Sequence, residues 1–165
     1  MRSLLLLSIL LIAGYAGNYF RIPIVLHADW LFGSIAAIIV LKLYGWGWGT
    51  VAGAIASSYT ILLWKHPCAF ILFTLEAFFV GWGLKRQSNN LLLLNVIYWG
   101  FIGFPLLWIL YVFLAKVDPS SVLFISVKNP VNQISNALIA CLILNHTPIA
   151  KWIVRFVASS ASVFV

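Results

Sequence analysis

The chain has 165 residues, of which 64% are apolar and only 8% charged, with a mean hydropathy of +1.08. Soluble domains carry about 45–50% apolar and about 25% charged residues, so an ordinary soluble enzyme or nucleic-acid-binding domain is excluded. The net charge of +7 comes from lysines and arginines set at the ends of apolar runs, a pattern of membrane topology rather than of a nucleic-acid partner. A spanning helix takes about 20 residues; six of them use about 120 and leave no room for a soluble catalytic domain.

The first apolar run, Arg2 to Tyr19, has the basic start and the small residues near Ala16-Gly17 of a signal peptide. Everything after it is equally apolar, so it is read as an uncleaved first helix. Phe20 to Ala28, interrupted by Arg21, Pro23 and His27, reads as an interfacial connection. The second span is expected over Asp29 to Tyr44, with Gly45-Trp46-Gly47-Trp48-Gly49 as a turn at headgroup level. A third span to Trp64 ends at Lys65-His66-Pro67, and a fourth over Cys68 to Leu84 ends at the polar run Lys85 to Asn90. The fifth, Leu91 to Leu114, contains Gly103-Phe104-Pro105, which is expected to bend it. Ala115 to Pro130 reads as a loop with a short amphipathic piece, and Val131 to Leu144 as the sixth span.

The expected fold is therefore an all-α integral membrane protein, a six-transmembrane-helix bundle over residues 1–148, followed by an amphipathic or signalling helix over 149–165. Six spans put both termini on one side. A cytoplasmic N-terminus places Arg2, Lys42, Lys85, Arg86, Lys151 and Arg155 inside, against Arg21, Lys65, Lys116 and Lys128 outside, which the positive-inside rule favours. Glycines Gly45, Gly49 and Gly53, continued by Ser57, and the pair Ala13 and Gly17, read as close-packing faces.

Glu76 falls midway along the fourth span, where an ionised carboxylate costs about 2.5–3.5 kcal/mol even on the lenient insertion scale. It is expected to face the bundle interior as the polar anchor of a ligand pocket, or as a proton or cation site, with Asn132 and Asn136 one helical turn apart on a facing stripe and Ser57 at similar depth. The plain alternative is that Glu76 bonds Asn136 or a serine and holds helices together. Trp99 and Trp108, with Tyr98 and Tyr111, are placed to line a cavity for an aromatic or lipid-like ligand. At the outer surface Arg21, His27, Asp29, Lys65 and His66 form an expected pocket mouth. Metal chemistry there is not expected, because H-x-D and H-x-C are weak patterns, Asp29 suits a helix N-cap and Cys68 and Cys141 have no paired spacing. No nucleophile-and-base motif, phosphate loop or HExxH occurs, so no catalytic residue and no cofactor is assigned.

Phe32-Gly33-Ser34, Thr74 to Gly81 around Glu76, Tyr98-Trp99 with Gly103-Phe104-Pro105, and Asn132 to Leu138 together resemble the vitamin-uptake-like sensor domains of bacterial signalling proteins, themselves similar to the substrate-binding S-components of energy-coupling-factor transporters. The resemblance covers roughly residues 18–145. It implies a bundle in the bacterial inner membrane with an outward-opening pocket, a small hydrophobic or amphiphilic ligand touching Glu76, Asn132 and Asn136, and a cytoplasmic histidine kinase or diguanylate cyclase output domain. No such domain follows the last span here, so the expectation is either a sensor region or a stand-alone uptake subunit. A second copy of the chain is kept as a candidate partner.

Overall fold

The computed structural model describes residues 2–24, 29–86 and 90–146; His27 of the expected pocket mouth and the expected helix over 149–165 lie outside the described residues. The fold is all-α. Six helices follow one another: α1 (Arg2–Tyr19), α2 (Gly33–Tyr44), α3 (Trp46–Trp64), α4 (Cys68–Arg86), α5 (Leu91–Leu114) and α6 (Pro119–His146). Between α1 and α2 a minimal antiparallel ribbon pairs β1 (Ile22–Pro23) with β2 (Asp29–Trp30). Among the described residues, α4 and α5 are long and apolar enough to cross a membrane, while α1 and α2 are apolar but shorter.

Several boundaries differ from expectation for identifiable reasons. Helix α2 begins at Gly33 and not at Asp29, because Asp29 and Trp30 pair with β1 and the Leu31 backbone is bonded by a side chain of α6. The expected five-residue turn at Gly45 shrinks to Gly45 alone. Its φ of 88° lies in the left-handed region open to glycine, so one residue reverses the chain and Trp46 already starts α3. In α5 the expected bend at Pro105 becomes two widened, π-helical stretches, Tyr98–Gly103 and Ile109–Leu114. A proline inside a helix lacks an N–H and crowds the preceding turn; here widened turns flank it and the helix continues.

The largest correction concerns Ala115 to Pro130, where a loop was expected. Helix α6 starts at Pro119 and runs through Pro130 to His146. Its start is fixed by Asp118, whose Oδ1 accepts hydrogen bonds from the backbone N–H groups of Ser120 and Ser121, both at 3.0 Å, and from the Ser120 hydroxyl. These bonds, with the Ser120 hydroxyl foremost, hold the Asp118 carboxyl well below the usual carboxylate range.

Helix α2 is central, packed on α1, α3, α4 and α6, and α3 lies along α4. The close approaches depend on small residues, though not all those expected. A side chain on Gly53 would meet Cβ of Ala77 at 2.6 Å, and one on Gly49 would meet Leu41. The row on α3 is thus covered by α2 and α4 and offers no free face to a partner. On α1 Gly14 and Asn18 are buried and Gly17, half-buried, approaches the backbone of Gly33, while Ala13 is exposed. Gly33 is the tightest point: a Cβ there would collide with the Gly14 carbonyl oxygen and the Asn18 side chain.

The bundle has two polar ends. At one, the Tyr44 hydroxyl donates to the Ser3 carbonyl at 2.7 Å and the Lys85 ammonium sits 5.3 Å over the Trp46 ring. At the other, Arg21 pairs with Asp29 at 3.0 Å and donates to the Tyr59 hydroxyl at 3.2 Å.

Gly33→Ala is expected to destabilise the fold by about 1–3 kcal/mol, the usual cost of forcing atoms into a packed interface, whereas Gly47→Ala, which meets open space, is expected to be neutral or better. Thermal midpoints of the two purified variants check this; equal midpoints contradict the packing.

Candidate functional site

Glu76 lies on α4, which carries it to mid-helix depth and turns it inward: the residue is 5% exposed. Its hydrogen-bond partner is neither Asn136 nor a serine. The Asn95 side chain of α5 donates Nδ2–H to Glu76 Oε1 at 2.7 Å, and the Trp99 indole one turn further along lies near enough to interact with the same carboxyl. Asn95 escaped the sequence reading; the available signal was a single amide inside Leu-Leu-Leu-Leu-Asn-Val-Ile. Among the described residues no cationic side chain pairs with Glu76; the one ion pair there is Arg21–Asp29.

The carboxyl borders an internal cavity of about 30 Å³, whose polar lining comes from Glu76, Ser57, Asn18, Ser34, Asn95 and Gln133. A water needs roughly 10–15 Å³ measured this way, so the space suits one or two water-sized occupants and is far below the roughly 300–1,000 Å³ of a ligand site. Ser57 is where the sequence placed it, its hydroxyl donating to the Gly53 carbonyl at 2.7 Å.

Asn132 and Asn136 lie beside this space and do different work. Asn132 accepts from Leu31 N–H at 2.9 Å and donates to Leu31 C=O at 2.8 Å, so its amide replaces a strand partner for the segment entering α2. Asn136 donates to the same carbonyl at 2.7 Å and to the Ser34 hydroxyl at 2.6 Å. Asn18 completes the clamp, accepting from Gly33 N–H and donating to the Ala56 carbonyl, each at 2.7 Å. Backbone groups left open in an apolar bundle cost several kcal/mol each, so these amides satisfy the extended entry to α2.

A second space opens at the Arg21–Asp29 end of the bundle. It measures about 440 Å³ and is walled by Trp64, His66, Tyr111, Ile125, Lys128 and Asn129, among others. The α3–α4 turn presents His66, whose ring stacks on Trp64 and meets Tyr111 edge-on at 5.1 Å. Helix α6 presents Lys128, 6% exposed, which donates to Asn129 Oδ1 at 3.2 Å and lies 5.8 Å from the Trp64 ring centroid. His66 Nδ1 is buried there without a partner, and the Asn129 amide lies near enough to the Tyr111 hydroxyl to interact with it. Lys128 and Asn129 escaped the sequence reading because their stretch looked like a loop.

Of the expected mouth residues, His66 lines this cavity, while Arg21 and Asp29 form their own pair beside it and Lys65 is an exposed left-handed cap of α3. Trp99 is buried against Phe73 and Tyr98, and Trp108 packs in the apolar core nearby; neither lines the outer cavity. Cys68 donates its thiol to the Leu110 carbonyl, and among the described residues no cluster of three metal-ligating side chains occurs. No family model matches the chain, nor does any curated protein or solved structure.

Burial lowers the His66 pKa below its usual 6.5, outweighing a backbone hydrogen bond that raises it. The unfolded chain therefore takes up the proton first: the stability contributed by the neutral ring is complete above the unfolded value and is lost as pH falls below it. Between about pH 7.5 and about pH 5.5 the thermal midpoint is expected to fall further for the natural chain than for His66→Phe. Parallel pH profiles for the two proteins contradict the assignment.

Proposed function

We propose that the protein is a six-span module of the bacterial inner membrane, both termini cytoplasmic, that binds a small amphiphilic molecule from the outer side and relays its presence to a cytoplasmic kinase or cyclase output domain. The observation that carries this reading is the 440 Å³ cavity with buried Lys128 and Asn129 beside the aromatic walls of Trp64 and Tyr111. Its size suits a compact organic molecule, and ligand sites combine an apolar lining with a few placed polar groups. Asp118 also lines the cavity, but its carboxyl is bonded by Ser120 and Ser121 and Asp29 is paired with Arg21, which leaves the Lys128 ammonium for an anionic head, a carboxylate above all, while the rings and Ile125 take an apolar or aromatic body.

The alternation of helix ends supports the topology: Ser3, Tyr44, Trp46 and Lys85 share one end, opposite to Arg21, Tyr59 and His66, and the basic Lys85-Arg86 pair favours the first end as cytoplasmic. The sequence resemblance to vitamin-uptake-like sensor domains supports the output. Helix α6 supplies a route, since the Lys128–Asn129 turn that would touch the ligand belongs to the same helix as Asn132 and Asn136, which hold Leu31, and as His146 at the other end. A ligand shifts such a helix only by binding one packing arrangement better than another.

The test is native mass spectrometry of the purified chain with a panel of small aromatic and branched aliphatic carboxylates and their matching amines. Retention of carboxylates over amines is expected, weakened about 10–100-fold in Lys128→Met, the effect of removing a charged hydrogen-bond partner. Equal retention of acids and amines, or no effect of Lys128→Met, contradicts the reading.

A further inference from the structure

We propose that the space beside Glu76 is a site for one small monovalent metal cation, sodium by its size. The proposal concerns the inner cavity alone and does not depend on the outer one holding a ligand.

The cavity is bordered by acceptors that lack partners. Asn95 Oδ1 and Gln133 Oε1 are buried oxygens without partners, on residues each 1% exposed that border the space together with the Glu76 carboxyl. Three of the donors on the lining are committed to other groups: Asn95 Nδ2 to Glu76, the Ser57 hydroxyl to Gly53, and Asn18 Nδ2 to Ala56. The Ser34 oxygen already accepts from Asn136 and keeps a lone pair open. One carboxylate, two amide oxygens and two hydroxyl oxygens make an all-oxygen set, the chemistry of hard cations.

Charge fixes the valence. A single carboxylate neutralises a monovalent ion, whereas a divalent ion would leave an uncompensated charge at hydrocarbon depth. The volume of about 30 Å³ fixes the size, holding a small dehydrated ion with at most a water beside it. The orientation of Asn95 is compatible with this, since its N–H toward Glu76 suits a carboxylate acceptor and leaves the amide oxygen for the cation.

The competing occupant is a proton on Glu76 with a water in the space. The two are separated by thermal midpoints of the purified full chain in sodium chloride and in choline chloride at equal ionic strength. A midpoint several degrees higher in sodium, saturating as sodium rises, is expected, because a ligand of the folded state alone stabilises by mass action. Glu76→Gln, which keeps shape and hydrogen bonding, is expected to abolish the difference, and Gln133→Leu to shift its midpoint of saturation to higher sodium. Identical midpoints of the natural chain in the two salts, or a sodium effect that survives Glu76→Gln, overturn the assignment.

Discussion

A carboxyl carried into the middle of an apolar helix has to find polar company inside the protein, and much of this bundle can be understood from how that company is assembled. Glu76 is bonded by Asn95 from the next helix, neighboured by Trp99, and set against Ser57 and Gln133 across a small cavity. An intramembrane acid is expensive enough that helices must bring it together with other polar groups and not with lipid. The close contacts among α1, α2, α3 and α4, made at Gly14, Gly33, Gly49 and Gly53, are what allow the polar groups of six helices to meet.

A second constraint acts on the backbone. Between strand β2 and the first residue of α2, the Leu31 backbone has neither a strand nor a helix partner. Asn132, Asn136 and Asn18 take over, each making the bonds that a neighbouring turn or strand would otherwise supply. These amides bond α6 to the entry of α2, and the outer cavity lies one turn away on the same helix. In the proposed function, occupancy at Lys128 and Asn129 is therefore felt at the clamp on Leu31, which makes α6 the element through which ligand binding and bundle packing are joined.

The sequence made the helix ends legible wherever a break was chemically plain: Gly45 and the Lys65-His66-Pro67 turn fall where hydropathy and turn chemistry place them, and α4 runs two residues past the expected Leu84 to Arg86. It failed over residues 119–130, because Lys128, Asn129 and Pro130 look like surface residues until Asp118 caps the helix and the cavity receives the polar side chains. The inward position of Glu76 follows from the cost of exposing it to lipid, but its pairing with Asn95 depends on the rotational phase of two helices, which no local pattern encodes. Asn132 and Asn136 were correctly singled out as buried and polar, yet hydropathy carries no sign of whether a buried amide meets a ligand or a backbone.

Glu76 is the sole glutamate of the chain, so a carboxyl-labelled glutamate reports on one atom group. Solid-state carbon NMR of the labelled protein in bilayers containing a nitroxide on the lipid acyl chain measures whether that group faces lipid. The account predicts a carboxyl signal that keeps its intensity while exposed apolar side chains such as those of Phe101 and Phe113 are broadened. Loss of the Glu76 signal to the acyl-chain nitroxide would contradict it.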